Sequence, residues 1–127
     1  MTKEQKMQFA LRIGVFGTFF GHGWFALFAK PAWIPLLTSL GFSNETALVL
    51  LPMIGVLDII VALIVLFKPI KLVLIWAMIW AFLAALSRLT AGQPFCEFVE
   101  RKALWICPLV LLIINGWPKK WKDLLIV

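Results

Sequence analysis

Residues 46–88 read TALVLLPMIGVLDIIVALIVLF, then KPIK, then LVLIWAMIWAFLAALSR. Two long apolar runs are separated by four residues that include a proline and two lysines. A helix needs about 20 apolar residues to cross a hydrocarbon layer about 30 Å thick, and both runs are close to that length. Because proline and flanking lysines mark an abrupt turn into water, these residues predict two antiparallel membrane-spanning helices.

The composition of the whole chain indicates an integral membrane protein. Of 127 residues, 63% are hydrophobic and 14% are charged, and the mean hydropathy is +1.01. Ordinary water-soluble domains are far less apolar. The net charge of +6 is compatible with a nucleic-acid partner, but the basic residues flank apolar runs and form no stripe along a helix. We therefore expect membrane lipids as partners, and no nucleic acid.

Four apolar segments are each near the length of one membrane crossing. They cover roughly residues 9–29, 46–67, 72–90 and 95–116. The pattern predicts one all-α transmembrane domain over residues 1–127, an integral membrane four-helix bundle. The connection from Lys30 to Asn44 is longer than a turn and still apolar. We expect it to form an interfacial or re-entrant segment between the first and second helices, with Trp33 as an aromatic anchor.

The distribution of lysine and arginine predicts the orientation in the membrane. One side receives eight of the twelve, namely Lys3, Lys6, Arg12, Lys68, Lys71, Lys119, Lys120 and Lys122. The other side receives four, namely Lys30, Arg88, Arg101 and Lys102. Because cytoplasmic loops carry the excess of basic residues, both termini are expected to be cytoplasmic. The first segment is not expected to be a cleaved signal, since Gly21-His22-Gly23 interrupts it.

Small residues recur at helical spacing on three of the predicted helices. Gly17-xxx-Gly21 is typical of helices whose backbones approach closely. Alanines of the third segment follow one face up to Arg88, and Gly55 shares a face with Asp58. We expect these faces to pack together with Asp58 and Arg88 turned inward. The residues assigned to helix packing are Gly14, Gly17, Gly21, Gly55, Ala77, Ala81 and Ala84.

Charged residues near the ends of short apolar runs indicate a polar site. Runs 72–86 and 103–114 cover only about 18 to 23 Å of the hydrocarbon layer. Asp58 lies about 18 Å from the outer end of its helix, where a carboxylate must be protonated, paired or hydrated. For Asp58 and His22, a structural hydrogen bond and a ligand or proton role both remain open. The expected polar cluster comprises His22, Asp58, Arg88, Glu97, Glu100 and Arg101.

Several kinds of chemistry are excluded by counting residues. Cys96 and Cys107 are eleven positions apart, about 16 Å along one helix, so they form no C-x-x-C dithiol. One histidine cannot supply both axial ligands of a bis-histidine haem, and no histidine or cysteine cluster offers a metal site. We expect no metal and no covalent cofactor, and we assign no catalytic residue.

Short motifs along most of the chain resemble those of the DoxX family of small four-helix bacterial membrane proteins. They run from Arg12 to His22-Gly23, continue at Gly55-Val56-Leu57-Asp58, and end at the turn Lys68-Pro69-Ile70-Lys71. In that family an arginine opens the first helix, a His-Gly pair lies near its outer end, and a G-x-x-E pattern occupies the second. Asp58 stands here where the family more often has glutamate, and residues 85–101 look like the mark of a subfamily.

The resemblance implies a bacterial inner membrane and association with quinone-linked or thiosulfate-oxidising redox complexes. It does not imply that this polypeptide performs catalysis. Our leading hypothesis is an accessory subunit of a quinone-linked redox complex, with quinone or lipid as ligand and other membrane subunits as partners. One alternative is a small oligomeric transporter or channel that uses Asp58 and His22. The other is a purely structural subunit that packs through Gly17 and Gly21.

Overall fold

The computed structural model describes residues 1–127 and is entirely helical, with no strand. This confirms the predicted all-α class. The α-helices are α1 (Lys3–Leu27), α2 (Ile34–Thr38), α3 (Asn44–Phe67), α4 (Lys71–Thr90), α5 (Phe95–Glu100) and α6 (Ala103–Asn115). Two short 3-10 turns, Pro31–Trp33 and Trp121–Leu125, precede α2 and follow α6.

Local sequence signals explain where the long helices begin. Thr2 caps α1, because its side-chain oxygen accepts from the backbone N–H of Gln5. The side chain of Gln5 accepts from the backbone N–H of Thr2 in turn, which forms a capping box. Ser43 caps α3 by accepting a hydrogen bond from the backbone N–H of Thr46. Gly41 precedes this cap with a φ of 104°, a left-handed conformation that glycine adopts without strain.

Two of the helices, α3 and α4, are long and apolar enough to cross a membrane. The predicted fourth segment, 95–116, is wrong as a single helix, because the chain turns at Arg101 and Lys102 between α5 and α6. The physical reason is the four charges of residues 97–102, which a continuous helix would carry along the apolar run. Helix α6 alone has 13 residues, fewer than the roughly 20 that a crossing needs.

The ends of the long helices meet at what we call the terminal end of the molecule. There the Nε of Arg12 in α1 donates to the carbonyl oxygen of Val65 at 3.2 Å, and its Nη2 donates to that of Leu66. A guanidinium at the last turn of α3 satisfies carbonyls that have no helical partner. The tail returns to the same end, since the N–H of Lys71 donates to the carbonyl of Ile126 at 2.9 Å. Both chain termini therefore lie at the terminal end.

A core of small and branched apolar side chains joins α1, α3, α4 and α6. Leu74 of α4 and Leu111 and Leu112 of α6 are fully buried. Of the alanines assigned to packing, Ala77 and Ala81 lie in this core. Ala84 is exposed and borders a cavity instead. The complete core cluster is Val15, Phe19, Val61, Ala62, Val65, Leu74, Ala77, Ala81, Leu111 and Leu112.

The closest helix contact is the crossing of α1 and α3 at Gly23 and Gly55. A Cβ built on Gly55 would lie 2.5 Å from the backbone N of Leu27 and 2.6 Å from the carbonyl oxygen of Gly23. A Cβ on Gly23 would lie 2.8 Å from the carbonyl oxygen of Gly55. Both positions therefore require glycine, which lets the two backbones touch.

The other glycines of α1 do not pack against another helix of this chain. A Cβ on Gly14, Gly17 or Gly21 would meet nothing within 4 Å. The expectation that this glycine face joins the bundle is therefore wrong within one chain. The buried face of α1 is instead formed by Val15, Phe19, Gly23 and Ala26, which follow the same i, i+4 periodicity one step further round the helix.

Large apolar side chains cover the outer surface of the long helices. On α3 alone, Val49, Met53, Val56 and Ile60 are all roughly half exposed. Water-soluble monomers rarely expose apolar surface on this scale. The outer surface is therefore suited to contact with acyl chains.

Replacing Gly55 by alanine should destabilise the protein, because its methyl group would collide with backbone atoms of α1. We expect a loss of about 1–3 kcal/mol in the free energy of unfolding, typical of overpacking. Gly17→Ala is the matched control, since its methyl group meets open space and alanine favours a helix by about 0.5–1 kcal/mol. Thermal unfolding in detergent measures both variants. Equal melting temperatures for the two would contradict the crossing.

Candidate ligand-binding cavity

A cavity of about 320 Å³ lies at the end of the helices opposite the chain termini, which we call the cavity end. It is bounded by α1, α3 and α4, by the segment between α1 and α3, and by the start of α6. Thirteen of its nineteen lining residues are hydrophobic, so the cavity is suited to an apolar molecule. The side chains with polar atoms are His22, Trp33, Asp58, Trp80, Ser87, Arg88, Thr90 and Arg101.

Asp58 is the deepest charged residue on the cavity wall. It lies in the middle of α3, one turn from Gly55, and only 5% of its surface is exposed. Its Oδ1 has no hydrogen-bond partner, and no basic group lies within ion-pair distance of the carboxylate. A buried polar group without a partner is costly, so this oxygen has an unused capacity to accept a hydrogen bond.

The arginines on the wall are not neutralised by Asp58. Arg88 and Asp58 line the same cavity but make no ion pair. Arg101 follows α5, and its Nε is buried without a hydrogen-bond partner. Two guanidinium groups on separate elements therefore reach the cavity with unused donors.

The two predicted glutamates lie outside the cavity. Glu97 and Glu100 approach the Nη2 of Arg101 at 3.7 and 3.8 Å, and their side chains are 39% and 62% exposed. Ion pairs this long and this exposed contribute little. The structure thus brings together four of the six residues of the expected polar cluster, His22, Asp58, Arg88 and Arg101. It leaves Glu97 and Glu100 at the rim.

Trp33 is a central part of the wall, although its sequence suggested only an interfacial anchor. The imidazole of His22 meets the Trp33 ring edge-on, with centroids 5.3 Å apart. The guanidinium carbon of Arg88 lies 6.0 Å from the same ring, and the Nζ of Lys30 lies 5.3 Å from it. These are cation–π distances. Pro31 opens the 3-10 turn that carries Trp33 back over α1.

The end of α4 contributes polar groups that the sequence analysis did not assign. Ser87 is buried and donates from Oγ to the carbonyl of Ala84 at 2.6 Å. Thr90 donates to the carbonyl of Ser87 at 2.8 Å, and its hydroxyl also meets that of Ser39 at 2.9 Å. Trp80 lies one turn before Ala84 on the same wall. The i, i+4, i+7 spacing of Trp80, Ala84 and Ser87 is the sequence signal that would have placed Trp80 and Ser87 on one face of α4.

The chemical character of the cavity is that of a binding site for an amphipathic molecule. Apolar walls surround a few hydrogen-bond donors and acceptors, and neither cysteine lines the cavity. No group of three histidine, cysteine, aspartate or glutamate residues is arranged to hold a metal ion. The fold and the cavity define an all-helical protein with a membrane-type exterior and a ligand-sized cavity at one end.

Comparison with known families identifies the relatives of this chain. The DoxX-like family model matches residues 18–116, a range that includes all four charged or imidazole side chains of the wall. The chain belongs to the DoxX-like family, which confirms the resemblance of its motifs, and DoxX proteins are membrane-associated. Searches of curated proteins and of solved structures found no match.

Asp58→Asn should leave the free energy of unfolding unchanged or raise it, because no ion pair is lost. Breaking a buried ion pair by removing one partner costs about 3–5 kcal/mol. Arg12→Gln provides a positive control, since it removes donors to two α3 carbonyls and should lower stability by about 1–3 kcal/mol. Thermal unfolding in detergent separates the cases. A fall for Asp58→Asn as large as that for Arg12→Gln would contradict an Asp58 without an ion-pair partner.

Proposed function

We propose that this chain is a four-helix inner-membrane protein whose cavity binds the headgroup of a quinone, as a non-catalytic subunit of a membrane redox complex. The observation that carries the proposal is the apolar cavity lined by Asp58 and Arg101, each of which also has a buried polar atom without a hydrogen-bond partner. The proposal has three parts, namely the topology, the ligand and the role in a complex.

The proposed topology has α1, α3, α4 and the α5–α6 pair each crossing the bilayer. It is supported by the meeting of helix ends at the terminal end and by the apolar exterior. The short α6 would be extended towards the outer surface by α5, whose charges then lie among headgroups. The excess of lysine and arginine at the terminal end supports a cytoplasmic location for both termini.

A quinone fits the size and the polarity of the cavity. Ligand sites for small molecules usually enclose about 300–1,000 Å³ and combine apolar walls with a few polar groups. In this proposal, Arg88 and His22 donate to one oxygen of the headgroup, while the carboxyl group of Asp58, in its protonated form, donates to the other. The isoprenoid tail would leave through the apolar wall towards the lipid.

The accessory role follows from what the side chains of the cavity can do. Its wall holds hydrogen-bonding groups but neither of the two cysteines, so electrons for the quinone would come from a partner subunit. The open glycine face of α1 is a surface that another membrane helix, or a second copy, would fit. Purification in mild detergent should therefore retain a redox partner or a bound quinone.

A transporter or channel is the second candidate. It is favoured because Asp58 and His22 line the same cavity inside the helix bundle. Its weakness is that the fully buried Val65, Leu74 and Leu111 close the core between the cavity and the terminal end. Transport would require these side chains to separate. Proton or solute flux in proteoliposomes that disappears in Asp58→Asn would support this candidate over the quinone site.

Decylubiquinone should bind the purified protein saturably and quench tryptophan fluorescence, because Trp33 and Trp80 line the cavity. Arg88→Gln and His22→Ala should each weaken binding about tenfold, since a hydrogen bond to a charged group contributes about 1.5–3 kcal/mol. Lys102→Gln is the matched control, because Lys102 is exposed beside Arg101 but does not line the cavity. Absence of saturable binding, or equal weakening by all three variants, would contradict the proposed ligand site.

A further inference from the structure

We infer that residues 30–41 form a lid over the cavity, closed by two latches on α4, and that a ligand enters when this lid opens. The ligand part of this inference rests on the proposed function, whereas the movement of the lid does not. We define the lid as the 3-10 turn Pro31–Trp33, helix α2 and the residues that join them to Lys30 and Gly41.

The lid is bounded by two residues in the left-handed region. Ala29 has a φ of 50°, and Gly41 has a φ of 104°. Ala29 ends α1 in a Schellman cap, because its N–H donates to the carbonyl of Ala26 at 2.9 Å and the N–H of Lys30 donates to that of Phe25 at 3.1 Å. Between Ala29 and Gly41, Pro31 and Pro35 stiffen the backbone. The segment is therefore a short, stiff unit set off from α1 and α3 by a change of backbone direction at each end.

Few contacts hold the lid against the rest of the molecule. Neither the 3-10 turn nor α2 contains a single buried residue, whereas α3 contains seven. Segments with little buried apolar surface open at low free energy compared with the core. The lid nevertheless covers the cavity, because Trp33, Leu36, Leu37 and Leu40 all line it.

Two contacts with α4 act as latches. The first is the hydrogen bond between the hydroxyls of Ser39 and Thr90, 2.9 Å long. The second is the cation–π contact between the Trp33 ring and the guanidinium of Arg88, 6.0 Å from ring centroid to Cζ. Thr90 and Arg88 themselves line the cavity, so opening either latch moves part of the wall.

The second latch couples the lid to the ligand. Arg88 forms no ion pair, so its guanidinium is shared only between the Trp33 ring and whatever occupies the cavity. A ligand oxygen that accepts from Arg88 draws the guanidinium away from the ring. Occupancy and lid closure are then linked through one side chain, and each alters the equilibrium of the other.

A reversible disulfide across the first latch tests whether the lid is the route. Ser39→Cys and Thr90→Cys are combined with Cys96→Ser and Cys107→Ala, because a hydroxyl pair at 2.9 Å places the two Cβ atoms near disulfide range. Oxidation should slow the association of decylubiquinone at least tenfold, and a reductant should restore the rate. The single Ser39→Cys variant, treated with the same oxidant, is the control. An unchanged rate after complete oxidation would overturn the lid as the route.

Hydrogen–deuterium exchange tests the lid without any ligand. In Thr90→Val, which removes the hydroxyl, peptides covering residues 34–41 should exchange at least threefold faster than in the natural protein. Thr90→Ser keeps the hydroxyl and should restore slow exchange, while peptides of α3 should not change in either variant. Equal exchange in Thr90→Val and the natural protein would overturn the latch.

The two experiments separate failure of the lid from failure of the proposed function. If decylubiquinone does not bind even to the reduced double-cysteine protein or to the natural protein, the quinone proposal fails. The exchange of residues 34–41 then decides the lid alone, since faster exchange in Thr90→Val supports it and unchanged exchange rejects it.

Discussion

The contact of Gly23 with Gly55 is the constraint on which the rest of the molecule depends. At this crossing the backbones of α1 and α3 touch, and even one methyl group would force them apart. Both motifs shared with the DoxX family place a polar residue beside a crossing glycine. His22 precedes Gly23, and Asp58 follows Gly55 by one turn. A Cβ on Gly23 would lie 3.1 Å from the Cβ of Asp58, so the crossing itself brings this carboxylate to the α1 side of the cavity.

The crossing also explains how a small chain keeps polar side chains at depth. Backbone contact at the glycines fixes α1 and α3, while α4 packs on α6 through alanines and leucines and supplies Trp80, Ser87 and Arg88 to the opposite wall. Between these two walls the helices do not fill the space, and the segment after α1 covers it with Trp33. The result is an apolar cavity whose few polar groups have unused hydrogen-bonding capacity, a combination that suits a ligand better than a structural core.

Much of this arrangement could be predicted from the sequence, because hydropathy and helical periodicity are local signals. They correctly indicated an all-helical chain and a turn at Lys68–Pro69. They also singled out four residues that line one cavity, namely His22, Asp58, Arg88 and Arg101. They did not show which glycine face of α1 meets α3, since Gly17 and Gly21 form a small-xxx-small pair, whereas the residues four positions from Gly23 are Phe19 and Leu27. That choice depends on the partner helix, which one segment of sequence does not contain.

The remaining differences have the same origin. The chain breaks between α5 and α6, and Glu97 and Glu100 lie at the rim of the cavity. Both features depend on which charged side chains remain accessible to water once the helices have packed. The role of Trp33 depends on where two prolines direct a short turn relative to α1 and α4. Such features arise from tertiary geometry, and periodicity within a single helix carries no signal for them.

A density map of the purified protein in lipid nanodiscs would show the helix crossing and the cavity in one measurement. We expect α1 and α3 to touch at Gly23 and Gly55, with Asp58, Arg88 and Trp33 facing one cavity and density for a small molecule between Asp58 and Arg88. Asp58 and Arg88 on opposite sides of the helices, or α1 and α3 separated by side chains at the two glycines, would contradict this arrangement.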